Sequence, residues 1–173
     1  MSPSSSMDAE SIKRLLELHT LPHEGGWFHE TYRAQVVIPA GSLPDAYPTD
    51  RNAGTAIYYL LTPDDVSAMH RLPSDEVFHF YMGDPVQQLR LYDDGRTETV
   101  ILGTDLLSGQ RPQATVLGNA WQGARLLDGG RFALLGCTVS PGFDFEDYEH
   151  GERETLIARW PDAADEITRL TRA

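Results

Sequence analysis

Between residues 55 and 139 no β-prone run exceeds eight residues before turn-forming residues interrupt it. The run at 55–61, TAIYYLL, is bounded by Gly54 and Pro63. Asp93-Asp94-Gly95 separates 86–92 from 97–102, and Gly118-Asn119 and Asp128-Gly129-Gly130 separate 114–117, 121–126 and 132–139. Gly, Asn and Asp supply the left-handed and tight-turn conformations that reverse a chain. Segments this short, punctuated this regularly, cannot make long helices and point to an all-β barrel or sandwich with a few flanking helices.

Within that pattern, residues 67–85, SAMHRLPSDEVFHFYMGDP, read as strand, turn, strand. His70 and Glu76 stand on either side of the turn Pro73-Ser74-Asp75, so two neighbouring strands present an imidazole and a carboxylate to one cavity. Strand alternation places Phe78 and Phe80 on the face of Glu76 and sends His79 to the other, unless a bulge re-aims it. Downstream, Asp93-Asp94-Gly95 predicts a hairpin.

The flanks are less regular. Residues 8–19 show helical spacing at Ile12, Leu15, Leu16 and His19, with Asp8 as cap and Pro22 as stop. A strand is expected from Trp27, with Phe28, Glu30 and Tyr32 on one face. Glu24 precedes Gly25-Gly26 and reads as part of a tight turn. Residues 38–52 carry Gly41, Pro44 and Pro48 and read as an irregular, mobile loop able to act as a lid. Residues 141–149, PGFDFEDYE, form an acidic and aromatic loop or edge. There Asp144, Glu146, Asp147 and Glu149 read as a solvated run that discourages strand pairing, with Asp147 at a barrel mouth as the alternative. Residues 160–170 form a closing helix, Pro161 near its start.

The chain has 173 residues, enough for one well-buried core, so a single domain over 8–173 is expected behind a disordered tail at 1–7. Asp and Glu number 26 against 14 Lys and Arg, a net charge of -12 that disfavours nucleic acid and anionic membranes as partners. No run approaches a membrane span, and the opening MSPSSSM has neither the basic nor the apolar part of a secretory signal, so a cytoplasmic location is expected. Cys137 is the only cysteine, which excludes an intrachain disulfide and a Cys-rich zinc site and reads as a buried core thiol.

The spacing of His70, Glu76 and Gly83 resembles the first motif of the cupin superfamily, and residues 117–122 fall where the second motif would. Four blocks, at 22–33, 67–85, 102–124 and 136–149, resemble an uncharacterised branch of that superfamily. The resemblance implies a double-stranded β-helix, the RmlC-like jelly-roll barrel, with a ligand pocket inside and a homodimer as the usual assembly. It also implies a metal site made by His-x-His and Glu from the first motif and His from the second. Here Leu72 and Gln122 replace two of those histidines, leaving His70, Glu76 and Gln122 as ligands for Fe, Mn, Ni or Zn, with His79 as a further candidate. Leucine cannot coordinate, and an amide oxygen is a weaker donor than imidazole.

Three functions are compatible with these residues. One is an enzyme moving protons on a sugar, a sugar nucleotide or another small polar substrate, an isomerase or epimerase. In it His70 or His79 is the base, Glu76 orients it, Tyr32 or Tyr58 is the acid, and Glu30 shares the pocket with Tyr32. Arg33 or Arg71 would hold an anionic group, and Trp121 would be core or pocket wall. The second is a metal-dependent oxygenase, lyase or hydrolase. The third is a non-catalytic module that binds or senses a small molecule.

Overall fold

The computed structural model describes residues 7–172, so the tail expected at 1–7 lies outside the described residues but for Met7. Helix α1 (Ala9–Leu15) begins at Asp8, whose carboxylate accepts from the Ser11 amide. It stops earlier than its spacing predicts. Glu17 takes φ 55°, and His19 enters strand β1 (His19–Thr20) instead of a last helical turn. Ile12 faces the core and Leu15 faces solvent.

The remaining strands are β2 (Trp27–Arg33), β3 (Val37–Ile38), β4 (Arg51–Asn52), β5 (Thr55–Leu61), β6 (Ser67–Arg71), β7 (Asp75–Gly83), β8 (Val86–Leu91), β9 (Thr97–Leu102), β10 (Gln113–Val116), β11 (Trp121–Leu126), β12 (Ala133–Ser140) and β13 (Glu149–His150). A six-stranded sheet runs β1-β2-β5-β12-β7-β10, and a five-stranded sheet runs β13-β6-β11-β8-β9. The main ladders are antiparallel, and the hairpin at Asp93-Asp94-Gly95 pairs β8 with β9 in continuous register from Leu91↔Thr97 to Val86↔Leu102. The two sheets face each other as a jelly roll.

Strands β6 and β7 are consecutive in sequence and belong to different sheets. The Pro73-Ser74 corner carries the chain across the sandwich. His70 and Glu76 therefore meet from opposing sheets and not from neighbouring strands of one hairpin. Between the sheets pack Tyr59, Leu61, Phe78, Leu102, Val116 and Leu135, every one of them buried.

Two helices absent from the strand pattern close the outer face of the five-stranded sheet. Helix α2 (Arg153–Arg159) falls in a stretch that the sequence left unassigned, and the expected closing helix divides into a 3-10 turn at Pro161–Ala163 and α3 (Ala164–Arg169). Their Leu156, Ile167 and Leu170 pack with Trp160 on Met69, Leu89, Leu91 and Trp121.

Residues 38–52, expected to be a mobile lid, are fastened down. Tyr47 is buried with its hydroxyl 2.9 Å from Ser74 Oγ. Arg51, 2% exposed, makes a bidentate pair with Asp147, whose side chain is 3% exposed, at 2.6 and 2.8 Å. Asp147 is thus neither a solvated edge charge nor part of the main cavity wall. Its neighbour Glu146 does remain half exposed.

Ile167→Ala should lower stability in urea denaturation by about 2–4 kcal/mol, whereas Leu107→Ala, at a fully exposed side chain, should change it by less than about 0.5 kcal/mol. Asp147→Ala strands a buried guanidinium and should cost roughly 3–5 kcal/mol in the same assay.

Candidate functional site

The inner faces of β2, β5, β7 and β12 meet β6 around a cavity of about 200 Å³. Period-2 alternation selects the side chains that line it: Ile57 and Tyr59 from β5, Glu76 from β7, and Cys137 and Val139 from β12. Its walls are largely apolar, with Leu21, Phe28 and Leu72 completing them.

The polar groups gather at two levels. Deep inside, His70 and Glu76 are buried, and a second carboxylate, Glu24, joins them with its side chain 12% exposed. The His70 Nδ1 lies 2.7 Å from the Ala68 carbonyl, which can only accept, so Nδ1 carries a proton. In its neutral form the ring offers its lone pair at Nε2, which lies 3.9 Å from Glu24 Oε2, beyond hydrogen-bond range. Glu24 is held by Ser67 Oγ, which donates to Oε1 at 2.7 Å. Tyr148 stacks on the His70 ring with centroids 5.2 Å apart. Burial pushes the Tyr148 hydroxyl up, and the charge of Glu24 adds to the effect.

Glu76 accepts a hydrogen bond from Gln122 Nε2 at 2.7 Å. Burial is the main force on its carboxyl, the charge of Glu24 adds to it, and together they outweigh the opposing influence of His70 and the bond from Gln122. Its pKa is pushed up from 4.5 to about 7. Burial likewise pushes the Cys137 thiol well up, so Cys137 is a poor thiolate nucleophile.

At the mouth, Arg33 Nε and Nη2 donate to the two oxygens of Glu30 at 2.9 and 2.8 Å, and further donors reach Asn52 Oδ1 and the Phe143 carbonyl. Phe143 and Phe145 meet edge to face beside Asp144.

The candidates divide between the cavity and the outside. His70, Glu76, Glu30 and Arg33 line the cavity, and Gln122 sits behind Glu76. Tyr32 is 58% exposed and does not line it. A bulge at Thr31 shifts the register of β2 on β5 and puts Arg33, not Tyr32, on the inner face with Phe28 and Glu30. His79 follows simple alternation outward, where its Nε2 lies 3.1 Å from Thr138 Oγ1 and its ring stacks on Tyr81. Tyr58 is on the same outer face, against Tyr81. Arg71 pairs with Glu149 and lies over Trp121, and Trp121 packs under the C-terminal helices, so neither reaches the cavity.

Glu24 is the cavity residue that sequence reasoning missed. Its signal was the adjacent pair Gly25-Gly26, with φ 97° and 73°. A Cβ on Gly25 would come within 2.5 Å of the Val66 carbonyl, and one on Gly26 within 2.7 Å of the Tyr59 hydroxyl. The glycines let the backbone press against the core and deliver Glu24 into it.

Residues 10–151 match the family described as Cupin superfamily (DUF985). The chain belongs to the cupin superfamily. It is 32% identical over 157 residues to the uncharacterised protein YML079W of Saccharomyces cerevisiae, covering 85% of this chain and 78% of that one. Among solved structures it is similar to protein SO0799 of Shewanella oneidensis, with TM-score 0.85, 32% identity and coverage of 96% and 99%. A hypothetical protein from Leishmania major matches with TM-score 0.85, 31% identity and coverage of 96% and 100%. Bacillus subtilis oxalate decarboxylase OxdC shares the fold alone, with TM-score 0.51 and 13% identity over 89% of this chain and 37% of that one. No helix among the described residues of this cupin is long and apolar enough to cross a membrane.

Because the folded chain holds a proton on Glu76 that the unfolded chain releases near pH 4.5, the folded state binds more protons between about pH 4.5 and 7. Stability therefore falls as pH rises through that window, by up to roughly 3 kcal/mol. Glu76→Gln should remove this decline, so urea denaturation should find the variant close to wild type at pH 4.5 and more stable than wild type at pH 8.

Proposed function

We propose that the barrel cavity is the active site of a proton-transfer enzyme acting on a small molecule, with isomerisation or epimerisation next to a carbonyl as the reaction. The observation that carries this reading is the opposition of His70 and Glu76. From the five-stranded sheet, His70 presents an unpaired Nε2 to the cavity. From the six-stranded sheet, Glu76 presents a carboxyl that titrates near neutral pH.

His70 Nε2 takes a proton from the carbon beside the substrate carbonyl, and the nearby Glu24 carboxylate stabilises the resulting imidazolium. Protonated Glu76 donates to the carbonyl oxygen as negative charge develops there. Return of the proton from His70 to the neighbouring carbon gives the isomer; an epimer requires a solvent-derived proton delivered to the same carbon from the opposite face, with the proton on His70 released to solvent. The apolar walls exclude water and strengthen each of these electrostatic interactions.

A resident metal suits these residues poorly. Leu72 lines the cavity where the cupin pattern would supply a second histidine, and Gln122 directs its amide nitrogen to Glu76, occupying one of the two carboxylate oxygens. Among the described residues, no group of three or more His, Cys, Asp or Glu is gathered so as to hold a metal ion. The Mn(II) centres of Bacillus subtilis oxalate decarboxylase belong to a protein only 14% identical, and no step here is assigned to a metal.

Exchange of α-protons for solvent deuterium, followed by NMR across small aldehydes and ketones, tests the proposal. Wild type should catalyse exchange in at least one compound, and His70→Gln should slow it about 100-fold or more. No exchange with any compound, or equal exchange by His70→Gln, would contradict the assignment.

A further inference from the structure

At the deep end of the cavity Ser67 and Gln122 direct their donors to Glu24 Oε1 and to Glu76. Glu24 Oε2 and His70 Nε2 are both acceptors when the ring is neutral, and they face each other at 3.9 Å with no side-chain donor of the described residues hydrogen-bonded to either. Both residues line the cavity, so a molecule that fills it and offers an N–H or O–H to this gap gives the two acceptors a partner.

Among the described residues that line the cavity Arg33 is the one arginine, and that guanidinium is spent on Glu30, Asn52 and the Phe143 carbonyl. Arg172 reaches the Gly25 backbone without lining the cavity. Arg71 lies outside, on Glu149. Glu24, Glu30, Glu76 and Asp144 all line the cavity, and the whole chain carries -12. An anionic ligand would be repelled here, and a cavity of about 200 Å³ is small for a nucleotide sugar in any case.

Ammonium and hydroxyl groups both donate. A carbonyl beside either group can accept from protonated Glu76, but a hydroxyl enters apolar walls without desolvating a full charge, which an ammonium cannot do. The geometry points to an uncharged α-hydroxy ketone or α-hydroxy aldehyde with an apolar body as the substrate class, its hydroxyl donating between Glu24 and His70. This rests on the proton-transfer reading and narrows it, setting aside the sugar nucleotides that the sequence left open.

The reaction that follows is balanced without a co-reactant. His70 removes the proton from the carbinol carbon and an enediol forms as Glu76 protonates the carbonyl oxygen. His70 returns its proton to the former carbonyl carbon while the original hydroxyl proton passes to the Glu24 carboxylate, which exchanges the positions of carbonyl and alcohol; release of that proton from Glu24 to solvent and reprotonation of Glu76 from solvent restore the starting enzyme.

Calorimetric titration of the wild-type chain at pH 7.5 with 2-hydroxy-1-phenylethanone, mandelate and 2-phenylethylamine tests the class, because the three share an aryl body and differ in charge. The hydroxy ketone should bind at least about 10-fold more tightly than either charged analogue, and Glu24→Gln should weaken it about 10-fold. Equal or tighter binding of mandelate or of the amine, or no binding of the hydroxy ketone at millimolar concentration, would overturn the inference, and these comparisons need no variant to fold. Proton exchange measured on the bound hydroxy ketone separates the two claims. Tight binding without exchange of its methylene protons contradicts the enzyme reading and leaves the ligand class standing, whereas preference for mandelate contradicts the class alone.

Discussion

A carboxylic acid sealed between two sheets must be neutral, paired or supplied with donors, and much of this cupin's interior answers that demand for Glu76. Gln122 gives it one donor across the sandwich. Its remaining discomfort comes from burial and from Glu24, a second carboxylate that the Gly25-Gly26 turn delivers close by. Replacing either neighbour by a cation would have ionised Glu76 fully and ended its capacity to give up a proton near neutral pH. The same two acids that cost the fold stability give the cavity its acid and the partner of its base.

The entrance and the segments packed beside it are held by charges that neutralise each other before any ligand arrives. Arg51 and Asp147 pair in the dry interior and tie the 38–52 segment to the 141–149 segment, while Thr49 and Glu146 extend the contact to the surface. Arg33 and Glu30 pair at the rim. The segments flanking the opening are thereby held in place, and Arg33, the arginine that lines the opening among the described residues, is already paired. This separates the cavity physically from phosphate-binding sites, which expose backbone amides and unpaired cations.

The barrel was legible in the sequence because its signals are local: turn residues at short intervals, period-2 alternation, and a motif spacing shared with other cupins. The placements of His79 and Glu76 followed from alternation alone. The sequence was less informative where a single inserted residue changes a face. The bulge at Thr31 exchanges Tyr32 for Arg33 in the cavity, and nothing in WFHETYR marks it. Long-range pairs were also invisible. Asp147 looked like one member of an acidic run until the fold brought Arg51 to it, and Glu24 looked like a turn residue until two glycines set its backbone against Val66 and Tyr59. The C-terminal helices escaped because α2 is only seven residues long, too short for its periodicity to stand out.

The central claim is that Glu76 exchanges a proton near neutral pH while facing a histidine base. Carbon-13 NMR of the Glu76 side-chain carboxyl, assigned by its disappearance in Glu76→Gln, reads that ionisation directly across a pH titration. The account predicts a midpoint close to pH 7. A midpoint in the ordinary carboxylate range near 4 would show a permanently ionised Glu76 and contradict its role as the acid.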